Sequence, residues 1–289
     1  MQKPCLLILF LLLCCGAAPA FAATANYDGN PKNLKTTPGG EAGAVYAGSD
    51  GSPSASGNTV TINYGSGTNP QFAFGGYAVK GDSGGNTLTI TKGTIENYVH
   101  GGHTSKGDAY GNTVTISAGS EVKRETIGGF TANGKAYGNK VFINGATLGG
   151  SLTGGRSETN SASGNEVTLN GGTVNSEIYG GFSQTGNVEN NTVIIKKGTN
   201  NFQIYGGFAY DGGAVTNNTV IVRGGKLGHT VFGGVNAVGN VAGNVTGNKV
   251  FVYGGTMRAA MGGQTRSAGM GKVVANNTVT IYGGTVQTV

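Results

Sequence analysis

An asparagine recurs along most of this chain at intervals of 26 to 30 residues, and each one opens a short segment of the same design. The second and fourth residues after the asparagine are Val, Ile or Leu in every copy, and Thr is the commonest residue between them. The nine copies begin at Asn58, Asn86, Asn112, Asn139, Asn165, Asn191, Asn218, Asn248 and Asn277. Alternation with a period of two, rich in β-branched residues, predicts a half-buried strand at each copy. Because so short a repeat cannot bury its own apolar face, the copies must stack on one another.

The residues at the start of each copy carry further structural information. The residue before the asparagine is Gly in six copies and Asn in three. These two residue types accept a positive φ most readily, which predicts a left-handed corner leading into each strand. We expect the asparagines to hydrogen-bond from turn to turn, as amide ladders do in cross-β stacks. A metal or glycan site at these asparagines is the functional alternative.

A pair of glycines follows about fifteen residues after eight of the asparagines, preceded by short apolar stretches such as Glu177-Ile178-Tyr179. This pattern predicts a second short strand that ends in a tight glycine corner. A polar loop of variable length then returns to the next asparagine. The predicted fold is all-β, a right-handed parallel β-helix (β-solenoid) with about nine turns of about 27 residues each. A β-propeller does not fit, since its blades need about 40 residues and four strands.

The N-terminus has the features of a secretory signal peptide over residues 1–22, with Lys3, the apolar run 6–13 and small residues before position 23. A membrane anchor and a lipidated cysteine are the alternatives for this segment. We predict a leader or cap over 23–43 and solenoid repeats over 44–289. All three cysteines lie within the signal segment, so the predicted mature chain has no thiol or disulfide.

The signal segment, the Asn-Thr-Val-Thr-Ile strands, the Gly-Gly-Thr-Val turns and the Ile-Tyr-Gly-Gly-Phe segments resemble the passenger region of bacterial autotransporter adhesins over roughly 44–289. The resemblance implies export, passage through an outer-membrane translocation barrel, and display at the cell surface or release outside it. It also implies a glycan or protein partner on a host or neighbouring cell. The alternating amphipathic strands of such a barrel are missing from the end of the sequence. We therefore expect a truncated gene product; pairing of the exposed end with another chain is the alternative.

The sequence predicts no catalytic residue, cofactor or metal site. Its thirteen acidic residues fall at different places in the repeats, unlike the carboxylate cluster of a polysaccharide-cleaving enzyme. The mixed-charge segment 121–125 is interpreted as a solvated loop. His100 and His103 flank one glycine pair, but no Cys or nearby carboxylate completes a zinc set. Since aromatic residues hold these positions in other repeats, we interpret both histidines as members of an aromatic stack. The positive charge is taken as spread along the chain, which does not favour nucleic-acid binding.

These observations favour a non-enzymatic secreted or cell-surface stalk that acts in adhesion or display. The candidate contact residues, suited to sugar stacking or protein contact, are Tyr77, Phe130, Phe182 and Phe208. A purely structural aromatic ladder is the alternative for them. A fragment of a polysaccharide-active β-helix enzyme is the second hypothesis for function. Ice binding by the outward Thr-x-Thr pairs is the third, although charged or bulky residues interrupt those pairs on the middle repeats.

Overall fold

The computed structural model describes residues 22–47, 54–238, 243–266 and 272–288. These residues form a parallel β-solenoid of about 27 residues per turn, which confirms the all-β solenoid prediction. They contain one short 3-10 turn, Pro31–Asn33, and no α-helix. No helix within these ranges is long and apolar enough to cross a membrane. The predicted signal peptide lies outside the described residues except for Ala22.

The walls of the solenoid are a ladder sheet, a Gly-pair sheet, short turn strands between these two sheets, and a third stack of two-residue strands. The ladder sheet contains the segments that follow the repeated asparagines, with every neighbouring pair parallel. A register shift occurs in one pair, between Ile62 and Asn63. Its strands are Thr24–Tyr27, Thr59–Asn63, Thr87–Ile95, Thr113–Ser117, Lys140–Asn144, Glu166–Leu169, Thr192–Ile195, Thr219–Val222, Lys249–Val252 and Thr278–Ile281. The first of these lies in the predicted leader.

The glycine pairs lie in a second stack, the Gly-pair sheet. Its strands are Ala42–Ala47, Phe72–Ala78, Tyr98–Thr104, Thr126–Thr131, Leu152–Ser157, Ile178–Ser183, Ile204–Asp211, Thr230–Val238 and Thr256–Thr265. The turn strands between the two sheets are Ser120–Val122, Thr147–Leu148, Thr173–Val174, Thr199–Asn200, Lys226–Leu227 and Thr285–Thr288. The segment 121–125 was predicted as a solvated loop, and this is wrong for its first part. Val122 is fully buried because it continues the inward column of the turn strands.

A third stack of two-residue strands closes each turn just before the asparagine. Its members are Ala55–Ser56, Ser83–Gly84, Ala109–Tyr110, Ala136–Tyr137, Ala162–Ser163, Val188–Glu189, Val215–Thr216, Val245–Thr246 and Val274–Ala275. At the N-terminal end, Lys35–Thr36 pairs antiparallel with the first strand of the Gly-pair sheet. All other pairings between the strands given above are parallel.

Aliphatic columns fill the interior. Both inward positions of the ladder sheet are fully buried in the first eight repeats, from Val60 and Ile62 to Val250 and Val252. Each such side chain contributes about 1.5–3 kcal/mol by leaving water. In the ninth repeat Val279 is only partly buried and Ile281 is 41 % exposed. Among the described residues no further strand covers that turn, so these two residues have fewer neighbours.

The repeated asparagines form a continuous ladder of amide hydrogen bonds. The Nδ2 of each asparagine donates to the Oδ1 of the asparagine one turn later, at 2.8–2.9 Å along the whole series from Asn58 to Asn277. The same Oδ1 accepts the backbone N–H of the preceding asparagine, as at Asn165 and Asn139, 3.0 Å apart. The predicted left-handed corner is also present, with φ of 56–69° at every residue before an asparagine.

The glycine pairs are not corners, contrary to the sequence prediction. They lie in the middle of strands, and their φ values are not in the left-handed region. A Cβ on the second glycine would meet the ladder amide, as at Gly181, where it would lie 2.5 Å from Asn191 Cγ. A Cβ on Gly180 would lie 2.4 Å from the carbonyl oxygen of Gly206. Glycine is required here because the backbone runs directly against the amide ladder.

Candidate functional site

Two columns of outward side chains run along the Gly-pair sheet, one on each side of the glycine pair. Their registers follow from the strand pairings. The column before the pair is Tyr46, Phe74, His100, Ile127, Thr153, Tyr179, Tyr205, Phe232 and Met261; the column after it is Tyr77, His103, Phe130, Arg156, Phe182, Phe208, Val235 and Gln264. We call these two columns together the aromatic stack. It packs apart from the main core.

All four candidate contact residues fall in the second column of this stack. Tyr77 and Phe208 are 6 % and 7 % exposed, whereas Phe130 and Phe182 are half-buried. Phe182 and Phe208 stack with their ring centres 5.6 Å apart. The rings of this column are thus packed on one another, and of the four candidates Phe130 and Phe182 are the more accessible. Its role as a contact surface stays a prediction.

The two histidines occupy adjacent places in the aromatic stack, as the sequence indicated. His103 stacks between Tyr77 and Phe130, with centroid distances of 4.5 and 4.9 Å. The Nδ1 atoms of His100 and His103 lie 3.0 Å apart, so one of them must carry the proton of this contact. Burial, with the charge of His100 beside it, holds the pKa of His103 well below its ordinary value. His103 is therefore neutral at neutral pH.

A carboxylate lies beside His100, so the sequence-based statement that none is near is wrong. Glu125 Oε1 is 3.8 Å from His100 Nε2, and this buried ring nitrogen has no hydrogen-bond partner among the described residues. Burial favours the neutral form of Glu125, but contact with His100 and the charge of Arg156 outweigh it and lower the pKa of Glu125. The repeat period could have revealed this neighbour. Glu125 directly precedes Thr126, which pairs with Val99 one turn earlier.

Arg156 connects this cluster to the rest of the aromatic stack. Its guanidinium bonds to Glu125 at 3.2 Å and to Glu158 at 2.7 Å. The same group lies over the rings of Phe130 and Phe182, 5.9 and 5.1 Å from their centroids. Arg156 thus takes the place that an aromatic ring holds on neighbouring turns. Sequence reasoning missed this residue because a single arginine in a column of aromatic residues gives no repeated signal.

Together these residues surround a groove of about 230 Å³ on the outer side of the Gly-pair sheet. We call it the histidine groove; it is lined by Glu41, Phe74, Tyr98, His100, His103, Glu125, Phe130, Arg156 and Glu158. At its N-terminal end the Tyr77 hydroxyl donates to Glu41 Oε1 at 3.1 Å. Burial and the charge of Glu41 raise the pKa of Tyr77 to about 12. The groove combines ring surfaces with fixed carboxylates, an arrangement able to bind a polar ring-shaped ligand.

The other predicted features lie elsewhere. In the ranges that the structure covers, no three His, Cys, Asp or Glu residues form a metal-binding group. The asparagines proposed as an alternative metal or glycan site use their amides in the ladder. The outward Thr-x-Thr pairs are separated in the ladder sheet by turns that place Phe142, Ile194, Ile221 and Phe251 outward instead. Ice binding stays a prediction.

Comparisons of the chain with protein-family models, with curated proteins and with solved structures each return no match.

Proposed function

We propose that this protein is an exported, non-enzymatic rod that acts in adhesion or surface display. The observation that carries the proposal is that the repeated residues and the outward residues have different roles. The repeated residues maintain the fold: the asparagine ladder, the glycine pairs beside it and the inward aliphatic columns. The outward positions vary from turn to turn. A stiff scaffold with variable outer side chains is suited to presenting a surface.

The contact region in this proposal is the aromatic stack around Phe130, Arg156 and Phe182, with the histidine groove beside it. The half-buried rings of Phe130 and Phe182 have their faces against stacked neighbours and Arg156, so they present apolar ring edges. Glu125 and Glu158 place hydrogen-bond acceptors next to them. Sugars can bind such a surface because their C–H groups pack on apolar ring surface while their hydroxyl groups bond to carboxylates. A glycan on a host or neighbouring cell is the partner that this surface favours.

A direct test measures binding of purified residues 23–289 to an array of glycans and to cultured cells. Phe130→Ala with Phe182→Ala is expected to reduce binding at least tenfold. Phe202→Ala is the matched control, since Phe202 is 41 % exposed and lies outside the aromatic stack. Equal binding by the double variant and the parent would locate the contact surface elsewhere. Failure of the parent chain to bind any cell or glycan would count against the adhesive function itself.

The resemblance to autotransporter passengers supports the finer proposal that the rod is displayed outside a bacterial cell. Expression of the chain with and without residues 1–22, followed by treatment of intact cells and of the medium with protease, tests export. Protection of the product inside cells in both cases would contradict it.

Polysaccharide cleavage is the second candidate, and one observation favours it. Glu125 and Glu158 both bind Arg156, and Glu125 also lies next to His100, so two carboxylates and an imidazole share the histidine groove. Glycoside hydrolysis uses paired carboxylates. Release of reducing ends from neutral or acidic glycans by the parent, but not by Glu125→Gln, would support an enzyme. Absence of turnover across such a panel would favour the binding proposal.

A further inference from the structure

The positive charge of this protein is concentrated in its last hundred residues, which corrects the expectation that it is spread along the chain. Residues 190–289 contain eight of the nineteen Lys and Arg residues but only one of the thirteen acidic residues, Asp211. The stretch 23–189 contains more acidic than basic residues. The C-terminal part of the rod therefore has an electrostatic character opposite to that of the part with the histidine groove.

Several of these cations lie together where the ladder sheet passes into the turn strands. Lys196, Arg223, Tyr253 and Tyr282 directly follow residues that pair from turn to turn, so they form one exposed column along the rod. Two further exposed cations, Lys197 and Lys226, lie within three residues of this column along the chain. We call these six residues the basic corner. None of its cations forms an ion pair with a carboxylate in the described part of the chain.

This arrangement places unneutralised charges close to one another. Parallel strands are about 4.8 Å apart, so the backbones of Lys196 and Arg223 are separated by roughly that distance. Like charges on side chains that start this close to one another repel. A bound polyanion would relieve this repulsion along the corner.

The two tyrosines favour a particular kind of polyanion. Tyr253 and Tyr282 are 50 % and 65 % exposed and stack with their ring centres 4.7 Å apart. The Arg223 guanidinium lies 5.9 Å from the Tyr253 centroid. Because Tyr282 and Arg223 lie against its ring, Tyr253 presents mainly its ring edge and its hydroxyl. This hydroxyl can donate to sulfate or carboxylate oxygens. Proteins bind single-stranded nucleic acids largely by stacking the bases on open aromatic ring faces, and the corner offers few such faces.

We propose that the basic corner binds a linear acidic polysaccharide through its sulfate or carboxylate groups. The proposal names a partner class for the adhesive rod and rests on that function. It concerns a surface distinct from the histidine groove, so the proposal for the basic corner can fail while the proposal for the groove stands, and the reverse. Its test is binding by the purified chain, whereas the proposed function is also tested by export and by attachment to cells.

The test measures binding of residues 23–289 to heparin, which is sulfated, to polygalacturonate, which is carboxylated, and to neutral dextran at several salt concentrations. The corner variant is Lys196→Gln, Lys197→Gln, Arg223→Gln and Lys226→Gln together. It is expected to bind at least roughly tenfold more weakly at about 0.1 M salt and to show a flatter salt dependence. A charge-retaining variant with the three lysines changed to Arg is expected to bind like the parent.

The matched control is Lys80→Gln, Lys92→Gln, Lys106→Gln and Lys135→Gln together, which removes the same number of exposed cations from the other part of the rod. Circular dichroism establishes that every variant is folded. Equal heparin and polygalacturonate binding by the corner variant and the parent would overturn the proposal. It would also be overturned if the parent bound single-stranded DNA or phosphatidylglycerol vesicles but neither polysaccharide. Heparin binding without polygalacturonate binding would indicate that the partner is a sulfated polysaccharide. The reverse result would indicate a carboxylated polysaccharide.

Discussion

Removal of one central rung of the asparagine ladder, by Asn165→Ala, tests whether the ladder stabilises the solenoid. Asn165 is fully buried, and its amide makes four hydrogen bonds. Nδ2 donates to Asn191 Oδ1 at 2.8 Å and to the Ala136 carbonyl at 3.0 Å. Oδ1 accepts from the Asn139 side chain at 2.9 Å and from its backbone N–H at 3.0 Å.

The size of the effect follows from which groups lose a partner. The Asn139 N–H becomes a buried donor without an acceptor, and such a group costs about 1–3 kcal/mol. The remaining lost bonds contribute about 0.5–1.5 kcal/mol each, although Asn139 Nδ2 keeps the Ala109 carbonyl and Asn191 Oδ1 keeps the Asn165 N–H. We therefore expect Asn165→Ala to lower the free energy of unfolding by about 3–5 kcal/mol.

Urea unfolding followed by far-ultraviolet circular dichroism measures this change. Native-state hydrogen exchange locates it, because a repeat protein can open locally around a damaged turn. Asn133→Ala is the control: Asn133 is exposed and bonds only to the Ser105 carbonyl, at 2.7 Å. A loss below about 1 kcal/mol for Asn165→Ala, with an unchanged denaturant slope, would refute the stabilising role of the ladder.

Three further predictions concern the Gly-pair sheet and the aromatic stack. Gly181→Ala should destabilise the protein by about 1–3 kcal/mol in urea unfolding, since the new methyl group would overlap the Asn191 amide. Stability should fall as the pH is lowered below about 6.5, because the unfolded chain then takes up a proton that His103, enclosed between Tyr77 and Phe130, resists. Arg156→Gln should raise the pKa of Glu125 in an NMR titration, since the arginine charge now lowers it.

Each of these has its own control. Gly119→Ala places its methyl group in open space and tests the cost of a left-handed φ alone, which should be smaller. His103→Phe should flatten the loss of stability below pH 6.5, and an unchanged slope would assign that loss to another group. Lys123→Gln removes the partner of Glu96, 2.6 Å away, and should leave the Glu125 titration unchanged. A shift of Glu125 in that variant would contradict the assignment to Arg156.

The repeated part of this fold was predictable because each turn repeats the same constraint. Val60 and Ile62 recur as a pattern nine times, so the inward face could be identified without coordinates. The glycine pairs were assigned to corners because glycine in a sequence indicates either a positive φ or a close approach. Only the stacked structure shows that Gly181 faces the amide of Asn191, ten residues later.

The candidate site was less predictable, because its residues occur once. Glu125 and His100 are 25 residues apart, and their contact depends on where the chain starts the next turn. Arg156 and Glu158 lie one turn further on and were assigned no role for the same reason. A register drawn from the asparagine spacing would have placed all four on three successive turns. It could not have shown that Arg156 lies over Phe130 and Phe182.

The asparagine ladder has a direction. Between the two ends of the series, each Asn side chain donates toward the next turn, and its Oδ1 receives two bonds from the turn before. The nine amide dipoles from Asn58 to Asn277 are therefore aligned head to tail through eight side-chain hydrogen bonds, and each bond polarises the next one. A chain that folds from its N-terminus always has one N–H and one Nδ2 donor at its growing surface. The next asparagine satisfies both with a single oxygen, so every completed turn serves as a template for its successor.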